Sequence, residues 1–142
     1  MIKTFKGRIG HDAQITIRLS TNNGMIGYKI LKFQIMALSP GADSVEHVSQ
    51  IYSIDPDGAT TDVNFDNPTL LATSFLTQSS SAGYANYNVI FDNKVINQDV
   101  FVTQKDNGPG SKGCNYYVEL EQVKLDLGEA TVATLKDMRG TN

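Results

Sequence analysis

The sequence predicts an all-β fold: a single antiparallel β-sandwich domain over residues 1–142, jelly-roll-like, with one or two short helices. Three observations carry that expectation. Apolar and polar residues alternate with a period of two through most of the chain, the pattern of half-buried strands. Clusters of Gly, Pro, Asn and Asp interrupt the alternation at spacings near those of a sandwich. Neutral polar residues (Asn, Gln, Ser, Thr) outnumber charged ones by 40 to 27, which suits a strand-and-turn surface better than charge-laced helices.

At 142 residues the chain has the length of one domain, able to bury roughly 68% of its unfolded surface. No internal repeat or linker divides it. Cys114 is the single cysteine, so neither an intramolecular disulfide nor a cysteine-rich zinc site is expected, and a small buried thiol is its simplest reading. The start, Met1-Ile2-Lys3-Thr4-Phe5-Lys6, lacks the apolar stretch of a secretory signal. No apolar run approaches the roughly 20 residues that cross a bilayer, so no membrane partner is expected.

The elements follow in order. Phe5, Gly7 and Ile9 share one face of a first strand, with Thr4, Lys6 and Arg8 on the other; Gly10-His11-Asp12 turns the chain. Ile15, Ile17 and Leu19 alternate with Gln14, Thr16, Arg18 and Ser20 in a second strand, and Asn22-Asn23-Gly24 is a strong hairpin signal. From Met25 to Leu38 the apolar phase changes: Ile26, Tyr28 and Ile30 have one parity, Leu31, Phe33, Ile35 and Ala37 the other. A bulge or bend near Ile30-Leu31 would keep both sets inside.

Val45 to Ile54 reads as the next strand, ended by Asp55-Pro56-Asp57-Gly58. Val63-Asn64-Phe65 is a short strand candidate. Asn67-Pro68 has the form of a helix start, with Leu70, Leu71, Ser74 and Phe75 at helical spacing. Gln78 to Gly83 reads as a flexible serine-glycine loop. Tyr87 to Phe91, Val95-Ile96 and Asp99 to Thr103 form a compact strand group joined through Asp92-Asn93 and Asn97-Gln98. Gln104 to Asn115 is a second long loop, and Tyr116 to Leu125 a strand. Glu129 to Arg139 fits either a short helix with Val132, Leu135 and Met138 along one side, or a last strand.

Charge is segregated. Lys3, Lys6, Arg8, Arg18, Lys29 and Lys32 stand in the first 33 residues against one acid, Asp12, while the rest of the chain holds fourteen acids and six bases. Such blocks either pair within one molecule or fit an acidic neighbour or second copy, fixing register. Direct nucleic-acid binding is not expected of an acidic chain whose bases lack interleaved aromatics.

No catalytic apparatus is legible, and neither enzyme activity nor a cofactor is expected. Gly108-Pro109-Gly110-Ser111-Lys112-Gly113 is an ordinary glycine-rich loop: a phosphate-binding loop needs Lys before Ser/Thr, and a strand-to-helix setting. Asp55-Pro56-Asp57-Gly58 resembles the opening of a calcium loop, but proline separates the acids and no twelfth-position glutamate follows. A turn is the expectation, with a peripheral cation held with Asp62 the lesser reading, and no metal site is assigned. His11 and His47 have no sequence neighbour that suggests a relay.

Tyr84 and Tyr87 flank the serine-glycine loop, and Tyr116-Tyr117 follow the other long loop. Tyrosines beside polar loops serve as contact residues in interfaces and sugar sites, though at least Tyr116 also fits the core. Lys3, Lys6, Arg8, Tyr84, Tyr87 and Lys112 are the candidate interface residues.

Lys3-Thr4-Phe5-Lys6-Gly7, Thr16 to Gly24 with Gly27-Tyr28 and Lys32-Phe33, Ile96 to Thr103, and Asn115 to Glu121 running into Ala130 to Asp137 carry a resemblance. In these stretches the chain resembles small virion structural proteins of tailed phages that infect marine cyanobacteria. The likeness spans both ends and most strands, and lapses at the two polar loops. It implies a structural protein of the virion, made in the host cytoplasm: most directly a capsid decoration or cement protein that stabilises the shell. Its partners would be the major capsid protein or other virion proteins, and further copies of itself. A tail, fibre or baseplate module binding a host receptor or glycan is the alternative.

Overall fold

The computed structural model describes residues 1–21, 24–79, 83–91 and 94–139. Among them are eight strands, β1 (Ile2–Ile9), β2 (Ala13–Ile17), β3 (Ile26–Ala37), β4 (Val45–Tyr52), β5 (Leu70–Ser79), β6 (Gly83–Ile90), β7 (Val100–Asp106) and β8 (Cys114–Lys124), followed by one helix, α1 (Leu127–Arg139). The strands form two antiparallel sheets, ordered β1-β8-β3 and β2-β7-β4-β5-β6. The all-β sandwich expected from the alternation is what the chain adopts.

The pairs β1·β8, β2·β7 and β4·β5 nest inside one another in the jelly-roll manner. The remaining pair of that nest, β3 with β6, forms no ladder. Instead β6 extends the five-stranded sheet beyond β5, while β3 packs beneath both β5 and β6.

The core lies between the sheets, where alternate residues meet: Ile9, Ile17, Phe33, Ile51, Leu76, Val102 and Val118 are all buried there. Each such side chain contributes about 1.5–3 kcal/mol by leaving water. The phase change in β3 is a bulge, with the register shifting between Ile30 and Lys32. Leu31, expected inside, is instead the extra residue that the bulge turns outward and is exposed, while Tyr28 before it and Phe33, Ile35 and Ala37 after it are buried.

The five-stranded sheet is covered on its outer face too. Residues 53–69 cross it, tied by Gln50 Nε2 donating to Asp62 O (3.0 Å) and Gln14 Nε2 donating to Asp55 Oδ1 (2.9 Å). Val48, Gln50, Tyr52 and Thr103 are buried beneath this segment. The outer face of the three-stranded sheet has no such cover among the described residues, and its β3 and β1 rows are largely exposed.

Several expectations are corrected. No helix starts at Asn67-Pro68: Asn67 Oδ1 accepts from the N–H and hydroxyl of Thr69 in a local turn, and Leu70–Ser79 becomes β5, paired on both sides. Two flanking ladders outweigh a weak helical spacing. Val63-Asn64-Phe65 is not a strand but part of the covering segment, where Phe65 meets Phe91 edge-on at 4.7 Å.

Of the stretch expected as a serine-glycine loop, Gln78 and Ser79 belong to β5 and Gly83 to β6; residues 80–82, like the turns expected at Asn22-Asn23 and Asp92-Asn93, lie outside the described residues. Val95-Ile96 is reduced to a single bridge between Ile96 and Tyr28. The second long loop is shorter than expected, because β7 runs to Asp106 and β8 begins at Cys114.

Of the two readings of the carboxyl-terminal segment, the helix is correct. A reciprocal capping box starts it, Glu129 N–H donating to Asp126 Oδ1 (2.7 Å) and Asp126 N–H to Glu129 Oε1 (3.3 Å). Its buried face is Ala130 and Ala133, while Val132 and Leu135 are exposed; the Met138 side chain lies outside the described residues. The small alanines allow close approach, and Asn97 Nδ2 fastens the helix to the sandwich through Ala130 O (3.1 Å) and Thr134 Oγ1 (2.7 Å).

Candidate functional site

The expected contact residues fall into three places. Lys6 and Arg8 lie on the open face of the three-stranded sheet. There β8 presents Asn115, Tyr117, Glu119 and Glu121, and register sets Lys32 of β3 beside Glu119 and Lys29 beside Glu121. Those two bases thus have acids directly opposite in the register, although neither makes an ion pair among the described residues. Lys6 and Arg8 are opposite Tyr117 and Asn115 instead, and neither makes an ion pair among the described residues.

Around them is an open groove of about 480 Å³, lined by Lys6, Arg8, Gln34, Met36, Asn115 and Tyr117 among others. Met36 is 60% exposed there. The groove is therefore basic along β1, has Asn115 and Tyr117 of the central strand β8 between its rims, and carries exposed Met36 on β3. Lys3, on the opposite face of β1, lies 5.9 Å from the centroid of the Tyr28 ring, a distance at which a cation is attracted to the ring face. The amino-terminal basic block is thus split: Arg18 pairs with Asp99 at 3.7 Å, Lys29 and Lys32 have acids directly opposite, and Lys6 and Arg8 face outward with no acid directly opposite.

Tyr84 and Tyr87 lie on β6, the outermost strand of the five-stranded sheet, and are 69% and 66% exposed. The Tyr87 ring stacks on Phe75 of β5, with centroids 6.4 Å apart and planes 10° from parallel. Tyr116 and Tyr117 behave differently. Tyr116 packs on the core and covers Gly7, where an added Cβ would lie 3.3 Å from its ring; burial raises its phenol above the ordinary value. Tyr117 donates its hydroxyl to Glu119 Oε2 (3.0 Å).

Lys112 has a partner. Its Nζ is 2.7 Å from Asp43 Oδ1, so it clamps the glycine-rich loop to the loop after β3. Asp43 also lines a cleft of about 240 Å³ with Gly41, Gln78, Ser79, Gly83 and Tyr84, so the loop after β3 touches both the glycine-rich loop and the adjoining ends of β5 and β6.

That end is organised by Asp106, a residue that sequence reasoning passed over. Its carboxylate accepts N–H bonds from Glu46 (2.9 Å), Gly108 (2.8 Å) and Lys112 (2.9 Å). Burial alone would raise the Asp106 carboxyl, but the three donors together with nearby His47 outweigh it and hold the group below its ordinary value. The glycines of the loop serve this packing: a Cβ on Gly113 would lie 2.6 Å from Ile9 O, and one on Gly108 3.2 Å from Ser44 O. The loop is a structural clasp.

Both histidines also belong to this end. His11 Nδ1 accepts from Asp106 N–H (3.1 Å), and fully buried His47 is 2.8 Å from Gln104 Oε1 through Nδ1. Gln104 Nε2 donates to Gly10 O (2.8 Å), which fixes Oε1 as the acceptor and His47 Nδ1 as the donor. Only backbone positions in space reveal these partners. Cys114 is completely buried nearby, its thiol pushed up to about 12 by desolvation and the Asp106 charge. Asp55 accepts from Asp57 N–H and Gln14, the turn expected of it. Among the described residues no three His, Cys, Asp or Glu side chains gather as metal ligands, and no helix is long and apolar enough to cross a membrane.

The class defined so far is an all-β sandwich with one uncovered, basic-rimmed sheet face and one exposed aromatic edge. Compared with protein-family models and with curated proteins, the sequence finds no match.

Proposed function

We propose that the chain is a non-enzymatic structural component of a tailed-phage particle, an accessory protein that decorates or cements the capsid. The observation that supports this best is the pair Lys6 and Arg8, with no acid directly opposite, at the rim of the groove on the open sheet face. Exposed Met36 and the Tyr117 ring beside two bases suit an acidic protein surface: apolar contact supplies affinity, and opposite charge sets orientation. Phosphate backbones suit it less, because Glu119 and Glu121 stand on the same face. The resemblance of the sequence to cyanophage virion proteins gives the partner a class, the major capsid protein or another virion protein. Many weak copies on a shell bind through multivalency.

The test is direct. Mass spectrometry and cryo-electron microscopy of purified particles should find this chain on the shell, and K6E/R8E should fold normally but lose occupancy there. Absence of the chain from purified virions rejects the reading.

The exposure of Tyr84 and Tyr87 favours a second reading, a tail, fibre or baseplate module that binds a receptor or glycan. Loss of host adsorption or glycan-array signal on Tyr84→Ala, with shell occupancy unchanged, would select it over the first.

A further inference from the structure

A sandwich of two open sheets has four rims, and three of them are closed to further pairing in recognisable ways. Strand β1 carries Lys3, Lys6 and Arg8. Strand β2 is only five residues long, and its Gln14 side chain is engaged by Asp55 and the Gly58 N–H. Strand β3 is bulged between Ile30 and Lys32, and its Tyr28 exchanges both backbone bonds with Ile96 (2.7 and 2.8 Å).

The fourth rim has none of these devices. Strand β6, Gly83-Tyr84-Ala85-Asn86-Tyr87-Asn88-Val89-Ile90, contains no charge and no proline. Its register with β5 runs unbroken over all eight residues. Tyr84, Tyr87 and Val89 are exposed along it.

Symmetry then selects the partner. An uncharged strand meets its own copy with no like charges opposed, whereas β1 meeting itself would bring Lys and Arg together. We propose that β6 pairs antiparallel with β6 of a second copy across a two-fold axis, joining two five-stranded sheets into one of ten strands. This inference goes beyond the particle reading and does not depend on it, since it concerns the isolated chain.

The register follows from the pleat. A two-fold axis perpendicular to the sheet keeps each face on its own side, so every residue meets one of its own parity and the axis passes beside a residue. With Tyr87 on the axis, Ala85 lies opposite Val89 of the second copy, Asn86 opposite Asn88, and Tyr84 opposite Ile90. The Phe75–Tyr87 stack then continues into its symmetry mate. Centring on Asn86 would instead set each Tyr87 opposite Ala85 of the second copy, so that the two Tyr87 rings would no longer meet at the axis and the Phe75 stack would not continue across it.

The experiment is a cysteine scan on the whole chain. Buried Cys114 does not compete for oxidant. Directly opposed Cβ atoms in an antiparallel pair lie about 4.5–5.5 Å apart, within small adjustments of disulfide reach. Tyr87→Cys should therefore give a covalent dimer on mild oxidation, while Ala85→Cys, whose opposite residue is Val89, should stay monomeric. Light scattering at roughly 100 μM, where a micromolar Kd populates the pair, should show twice the 15.5 kDa chain mass. Tyr87→Lys sets two ammonium groups against each other at the axis and should weaken association by about 100-fold or more. Because Tyr87 is exposed, that variant should retain the wild-type circular-dichroism spectrum, which shows that it still folds. A monomeric wild type, equal crosslinking of Ala85→Cys and Tyr87→Cys, or crosslinking through Asn86→Cys alone would each overturn the proposal.

Discussion

Strands β1 and β6 are both eight residues long and both form the rim of a sheet, yet they are finished in opposite ways. β1 sets Lys6 and Arg8 toward solvent with no acid opposite. β6 sets two tyrosines and a valine there and no charge at all. The difference teaches that the backbone edge alone does not decide what binds. A guarded edge turns strands away and leaves its side chains free to meet an acidic surface, while an unguarded edge accepts another strand.

The comparison requires both rims to hang on one interior. Phe33 is 1% exposed and opposes Val118 in the sheet that carries β1, within the cluster that also holds Leu76 beneath the β6 side. Phe33→Ala should destabilise the chain by about 4 kcal/mol, read by urea denaturation as one shifted transition. Separate transitions for the two sheets would break the comparison, because the rims would then belong to independent units.

Next in size is the clasp that joins the loop end. Asp106→Ala removes the acceptor for three backbone N–H groups and should cost about 3 kcal/mol. Both Asp106 and Asp99 ionise below their ordinary value in the folded chain. For Asp99, burial is again outweighed, here by the N–H groups of Ser20 and Leu19, the Ser20 hydroxyl and Arg18. The unfolded chain therefore binds their protons more readily. The stability they contribute is complete above the ordinary carboxylate value of about 3.9 and is lost as pH falls through it toward the folded values. Melting curves between neutral and acid pH should show this slope, and Asp106→Asn should flatten it in part.

The smallest effect on folding should come from the guards themselves. The double variant K6T/R8T should change stability by no more than about 0.5 kcal/mol, yet it should raise self-association and lower solubility, measured by light scattering at low salt. Unchanged association would mean that β1 is closed by something other than charge.

Much of the fold was legible because one face of a strand is dry and the other wet. The parity of Phe5 and Ile9 in β1, of Ile15 and Ile17 in β2, and the break at Leu31 in β3 all follow from that rule. Strand β5 was misread for the same reason: Leu70, Leu71, Ala72, Thr73 and Ser74 are all buried, so no alternation distinguishes strand from helix. The capping box Asp126-x-x-Glu129 was present in the sequence and would have decided the helix.

The site was legible by halves. Lys6 and Arg8 share a parity, and Tyr84 and Tyr87 follow the serine-glycine stretch in sequence. That Lys112 is held by Asp43 and that Asp106 gathers donors from Glu46, Gly108 and Lys112 depends on segments brought together by folding, which no local pattern encodes.

Hydrogen exchange measured against protein concentration would probe the two rims in a single sample. The outward backbone N–H groups of residues 84–90 should gain protection as concentration rises, while those of β1 exchange at a constant rate. Protection that does not change along β6, or that appears along β1 instead, would contradict the assignment of β6 as the edge through which copies meet.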